Sequence, residues 1–213
     1  MTNWCVARHR VSIAGRVRDG RTKKAIAGVE VSIVGVMPAE FRKTIERLSL
    51  RAGKGWDRRA ERVDKTKSGF DGLFHFQDLP HGKYGLRAAL PDCGKRYGEA
   101  EGEAAVPREA QGESGRDYLK KIWVDLELPP TTVRGRVIDA NQKAGVWLAE
   151  VRVKGSGERT FSDAQGQFAI FPIEPGTRVL QASAQGYSPL EEISVAQAGR
   201  EQETDFRLVR KHG

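Results

Sequence analysis

A chain of 213 residues has room for one large domain or two small ones, and an apolar share of 38% is thin for a single large core. The formal net charge of +8, from 36 basic and 28 acidic residues, admits an anionic partner but falls short of a dedicated nucleic-acid binder. No stretch nears the roughly 18 apolar residues of a membrane span. The opening MTNWCVARHR has no apolar signal core, so the expected location is the cytoplasm, or an assembly that is later released or surface-exposed.

Trp4, Cys5 and Val6 suggest a short leading strand. Val11, Ile13 and Val17 alternate as a half-buried strand should, and Asp19-Gly20 turns the chain. Val29, Val31 and Ile33 repeat the alternation, and Gly35 ends it. Between Val36 and Lys65 the pattern changes. Phe41, Ile45 and Leu48 fall at helical intervals, Pro38 suits a first turn, and Gly53 and Gly55 suit the end. This segment is basic, through Arg42, Lys43, Arg47, Arg51, Lys54, Arg58, Arg59, Arg62 and Lys65.

A turn at Gly69-Phe70-Asp71-Gly72 leads to a strand with Leu73, Phe74 and Phe76. A second turn, Leu79-Pro80-His81-Gly82, leads to another with Tyr84, Leu86 and Ala88. An acidic excursion follows over residues 91–119, carrying Glu99, Glu101, Glu103, Glu109, Glu113 and Asp117. Within it Ala104 to Val106 is expected as an edge strand, answering Ile193 and Val195 later on. Val124, Leu126 and Leu128 form a closing strand.

The same text then returns. Thr66, Gly72, Phe74, Gly82 and Leu86 have counterparts in Thr160, Gly166, Phe168, Gly176 and Leu180, at a constant spacing of 94. Earlier features (Gly15-Arg16-Val17, Asp19, Glu30-Val31 and Gly35) recur at a spacing of 120, so the first copy carries a net insertion of 26 residues between its second and third strands. Two modules follow, 1–129 and 130–213, joined at Pro129-Pro130 by a short extended link that predicts a semi-rigid pair. From Thr131 onward there are 11 basic and 10 acidic residues, so nearly all the excess charge, and both excursions, belong to module one.

The order G-R-V-x-D, an E-V-x-V strand ending in Gly, then T-x-S-x-x-x-G-x-F and a Gly-opened strand resembles the carboxypeptidase regulatory-like domain in both copies. That resemblance implies an all-β chain of two consecutive seven-stranded transthyretin-like or Ig-like β-sandwiches, the first with a helical insertion at 36–65. Arg178 stands where the first copy has Tyr84. The family is an accessory module of many different proteins, so it does not imply peptidase activity.

The residues themselves speak against catalysis. A zinc peptidase site needs an H-x-x-E pair and a further ligand, and none of His9, His75, His81 and His212 has Glu three residues on. By alternation His75 faces solvent, opposite Phe74 and Phe76, and His81 lies in a turn. Cys5 and Cys93 are expected to be reduced thiols. No nucleophile-elbow, phosphate-loop or paired-cysteine motif occurs. No cofactor and no metal is expected.

The leading expectation is a non-catalytic structural or adaptor protein that docks onto or within a larger assembly, of which phage-tail-like machines are one example suggested by resemblance. The docking residues are expected in module one's insertion: Phe41, Arg42, Lys43, Arg47, Arg51, Trp56, Arg58, Arg59 and Arg62. The opposite charges of the two excursions allow pairing within one module or head-to-tail self-association of copies. Two alternatives remain. One is a carbohydrate- or surface-binding module needing an exposed aromatic platform, for which Trp147 is a candidate but is expected in the core. The other, weaker, is nucleic-acid binding through Arg8, Arg10, Arg16, Arg18, Lys23 and Lys24 with the insertion.

Overall fold

The computed structural model describes residues 9–58, 62–91, 95–108 and 115–211. The expected leading strand at Trp4–Val6 falls outside them, as do Cys5, Arg8, Arg59, Cys93, Glu109, Glu113 and His212. The chain divides into two compact units. One runs up to Pro91 and takes in Glu99–Leu128; the other takes in the segment ending at Gly98 and everything from Pro129 on.

In the first unit β1 (Val11–Asp19), β2 (Glu30–Val34), a helix α1 (Ala39–Ala52), β3 (Lys65–Lys67), β4 (Leu73–Gln77), β5 (Gly82–Ala89) and β6 (Ala100–Val106) follow in order. A second helix α2 (Gly115–Ile122) and β7 (Trp123–Leu128) complete it. The strands form two sheets, ordered β4-β1-β7 and β3-β2-β5-β6. Alternation puts one face of each strand inward, so Ile13, Val17, Val31, Phe74, Leu86 and Leu126 are all buried. The closing strand β7 runs parallel to β1 and lies so near it that a Cβ on Gly15 would collide with the Val124 carbonyl. Only glycine fits there. The sequence reading did not anticipate α2, which seals the sandwich with Ile122, fully buried, and with the Tyr118 hydroxyl donating to the Val11 carbonyl (3.2 Å).

The second unit holds β8 (Thr132–Asp139), β9 (Glu150–Val153), β10 (Arg159–Phe161), β11 (Gln167–Ile170), β12 (Gly176–Ser183), β13 (Leu190–Ala196), β14 (Glu201–Glu203) and β15 (Phe206–Leu208). Its sheets are β10-β9-β12-β13 and β11-β8-β14, with β15 also pairing to β8. The closing edge of this unit is thus made of two short strands along the same neighbour. Val133, Val137, Val151, Phe168, Leu180 and Phe206 fill the core. Gly135 repeats the close approach of Gly15, here against the Thr204 carbonyl. Within this unit Thr131 N–H donates to the Arg96 carbonyl (2.8 Å), and the Arg96 guanidinium pairs with Glu158 (2.8 Å).

Residues at the paired sequence positions make matching hydrogen bonds. Asp19 accepts from the N–H groups of Arg21 and Thr22; Asp139 accepts from those of Asn141 and Gln142. The Ser68 hydroxyl accepts from Val29 N–H and donates to the Ile26 carbonyl, and Ser162 does the same with Ala149 and Val146. Val17 N–H donates to Gly72 and Val137 N–H to Gly166, both glycines in left-handed turns at φ 75° and 77°. Arg178 replaces Tyr84, yet each side chain reaches back to a carbonyl four residues earlier, Glu174 and Pro80 respectively.

One expected correspondence is corrected. Tyr84 pairs with Ala104 and Arg178 with Ser194, so Ala104 answers Ser194 and Val106 answers Ala196. A slip of one residue exchanges the faces of a strand. Ile193 and Val195 therefore point outward, 69% and 55% exposed.

Candidate functional site

The insertion leaves the first sandwich after Ile33, whose N–H donates to the Asp64 carbonyl (2.9 Å) and so closes its base. Pro38 precedes α1, and Gly53 ends it at φ 54°, with its N–H bonded to the Ser49 carbonyl. The helix start presses on Gly82, where a Cβ would come within 2.6 Å of the Pro38 ring. One turn on, Phe41 is buried edge-on against Tyr84, with ring centroids 5.6 Å apart. The Tyr84 hydroxyl donates to the Pro80 carbonyl (2.7 Å), and burial pushes its pKa up to about 12. Ile45 and Leu48 are half-buried, while Lys43, Glu46, Arg47, Leu50 and Arg51 stand exposed. This is the amphipathic face the spacing predicted.

Beyond the helix, a 3-10 segment (Gly53–Arg58) carries Trp56. Arg62 ties this end down. Its guanidinium donates through Nε and Nη2 to the two Asp64 carboxylate oxygens (2.9 and 2.6 Å) and through Nη1 to Asp57 (3.2 Å). It also lies over the Trp56 ring, 4.4 Å from the centroid. The bonds to Asp64 raise the Arg62 pKa above its ordinary value. Lys65 pairs with Glu30 (2.7 Å).

The predicted docking residues thus divide. Phe41 and Arg62 turn inward and hold the insertion in place. Arg42 is exposed, with its guanidinium donating to the Gly35 carbonyl (3.2 Å). Lys43, Arg47, Arg51 and Arg58 are exposed, and Trp56 is half-buried with one face covered.

Under the insertion lies an open cleft of about 1060 Å³. Its walls are runs of consecutive residues, Lys65–Lys67 on β3 and His75–Pro80 through β4 and beyond, with Phe41, Arg58, Arg62 and Val63 from the insertion. β3 and β4 are each the outermost strand of their sheet. At one end Asp78 accepts from Arg10 N–H (2.9 Å) and is bonded to the His9 ring (2.5 Å). The Arg10 bond first, and His9 second, hold its carboxyl below the usual carboxylate range. Sequence reasoning did not single out Lys67 or Asp78. No local sequence pattern marks them, because the cleft forms only where the edge strands of two sheets border one space.

His75 and His81 are exposed, and among the described residues no group of three or more His, Cys, Asp and Glu is placed to hold a metal. No described helix is long and apolar enough to cross a membrane. Trp147 corrects another expectation. It sits in a turn, 66% exposed, rather than on a strand facing the core, and Leu148 beside it is 54% exposed at φ 54°.

No curated protein matches the chain. Similar solved structures include the shaft pilin SpaA of Lactobacillus rhamnosus GG, 14% identical over 94% of this chain and 98% of that one, with a TM-score of 0.39. A streptococcal ancillary pilin is 15% identical over 94% of this chain and 62% of that one, at 0.35. The minor pilin GBS52 of Streptococcus agalactiae is 12% identical over 95% and 98%, at 0.33. Residues 132–209, which make up most of the second unit, match the carboxypeptidase regulatory-like domain.

Proposed function

We propose that the chain is a non-catalytic structural or adaptor protein, docked onto or within a larger protein assembly through the insertion of its first module. One observation carries this reading. Where β2 and β3 are joined by the helix-bearing insertion, β9 and β10 are joined by a short turn closed in the same way, Val153 N–H donating to the Glu158 carbonyl (3.0 Å). The sandwich does not need the insertion to close. A segment that presents Lys43, Arg47, Leu50 and Arg51 to solvent from an otherwise minimal scaffold is where specificity belongs. The exposed Glu101 and Glu103 of β6 extend the proposal to head-to-tail contact with the basic insertion of a neighbouring copy.

The test is to replace residues 34–63 by the turn 154–157 and to purify both proteins from native cells at high salt, with mass spectrometry of what accompanies them. A stoichiometric partner set that is lost with the insertion supports docking. A set that survives the replacement unchanged overturns it.

The exposed Trp147 favours a second reading, a carbohydrate- or surface-binding face on module two. Trp147→Ala abolishing retention on polysaccharide would establish it. Nucleic-acid binding is less favoured, because Arg62 covers one face of Trp56 and Lys23 is paired with Glu127. Binding that vanishes with added salt is its signature.

A further inference from the structure

We propose that the cleft beneath the insertion receives an extended, acidic segment of a partner protein, laid as an added strand along the open edge of β4. This specifies the occupant of the docking role proposed above and rests on it.

The backbone supplies the first argument. In an antiparallel pair, bonded and non-bonded residue pairs alternate. Val17 N–H bonds to the Gly72 carbonyl, and the register then runs Gly15 to Phe74, Ala14 to His75 and Ile13 to Phe76. Counting from Gly72, Phe74 and Phe76 are the bonded positions, so His75 turns its N–H and C=O away from β1, into the cleft. The same holds across the gap. Ser68 N–H bonds to the Val29 carbonyl and Ile33 N–H to Asp64, which leaves Lys67 with its backbone groups directed away from β2. Outward-facing backbone donors and acceptors along an edge are what an incoming strand pairs with.

Charge supplies the second. The acids in the cleft each have a hydrogen-bonded partner: Glu30 in Lys65, Asp57 in the Arg62 it shares with the buried Asp64, and Asp78 in the His9 ring and the Arg10 N–H. Arg58 and Lys67, both exposed, make no ion pair among the described residues. These two are the cations open to a ligand's carboxylates, within a set of four acids and four basic side chains that balances in formal charge. Val63, 48% exposed, gives the wall an apolar patch. A segment alternating acidic and apolar side chains satisfies the edge, the cations and the patch together.

The test uses the full chain and fluorescein-labelled peptides of about eight residues, a common strand length. One alternates Glu and Val, one alternates Lys and Val, and one is the Glu–Val peptide with Pro at alternate positions. Fluorescence anisotropy should show the Glu–Val peptide binding at least roughly tenfold more tightly than either control, with Lys67→Glu or Arg58→Glu weakening it roughly tenfold. Hydrogen exchange at the His75 amide should slow in the complex. Absence of Glu–Val binding overturns the proposal, as does equal binding of the Pro-interrupted peptide. Equal competition by a single-stranded oligonucleotide also overturns it, because charge alone would then be read. If no acidic strand binds but partners are still lost with the insertion, the docking role stands and the occupant is wrong.

Discussion

The two modules close their turns with the same hydrogen bonds and differ in what those turns carry. Asp19 and Asp139, Ser68 and Ser162, Gly72 and Gly166 perform identical backbone duties. Yet one β2–β3 connection holds a helix and a cleft, and its counterpart holds a short turn. The edge strands diverge likewise. At equivalent outward positions β6 carries Glu103 and Ala105 where β13 carries Ile193 and Val195, while Glu101 and Glu191 keep the same charge. The scaffold is fixed by a handful of buried polar and glycine positions, so the loops and outward faces are free to specialise.

That comparison can be broken most forcefully at the closing strands. Gly15→Ala and Gly135→Ala each drive a Cβ into a neighbouring carbonyl, and each should destabilise its own module by about 3 kcal/mol in denaturant unfolding. If one module tolerates the methyl, the two closures are not equivalent.

Next come the bridging hydroxyls. Ser68→Ala and Ser162→Ala each strand a backbone N–H, that of Val29 or Ala149, and both should cost about 2 kcal/mol. Unequal losses would show that module one leans on its insertion for the same duty.

The Tyr84–Arg178 exchange sharpens the contrast. Tyr84→Phe leaves the Pro80 carbonyl without its buried partner and should cost about 1 kcal/mol. Arg178→Gln, at a partly exposed site, should cost only about 0.3 kcal/mol, readable as a small shift in the urea midpoint.

A last contrast is read as a slope against pH. Asp139 accepts bonds from the Gln142 N–H, from Arg210, from the Asn141 N–H and from the Tyr187 hydroxyl, which together hold its carboxyl far below its ordinary 3.8. A depressed folded value means the stability it contributes is complete above about 3.8 and is lost as pH falls from there toward the folded value. Asp139→Asn should therefore flatten the pH dependence of module two's stability on the acid side, and an unchanged slope would contradict this.

Much of this was legible in the sequence, for physical reasons. Alternation between Gly- and Asp-marked turns located the strands, and the fall in spacing from 120 to 94 located the insertion. Its helix followed from Phe41, Ile45 and Leu48 with Pro38 and Gly53 at the ends. Helix α2 was missed because it is short and half charged, and is anchored by Tyr118 and Ile122 only through tertiary contact. Trp147 was misplaced because G-V-W-L-A-E-V reads as one strand, whereas Leu148 takes a positive φ and breaks it. The cleft was out of reach for a different reason. It is made by edges of two sheets, and no local pattern records that β3 and β4 border the same space.

The most direct test of the account is cross-linking mass spectrometry on the intact protein in its native complex. If the insertion side of module one is the docking element, cross-links to partners concentrate on the exposed Lys43, Lys54 and Lys67. If they gather instead on Lys143 and Lys154 of module two, equally exposed, the plain scaffold is the binding module and the central claim fails.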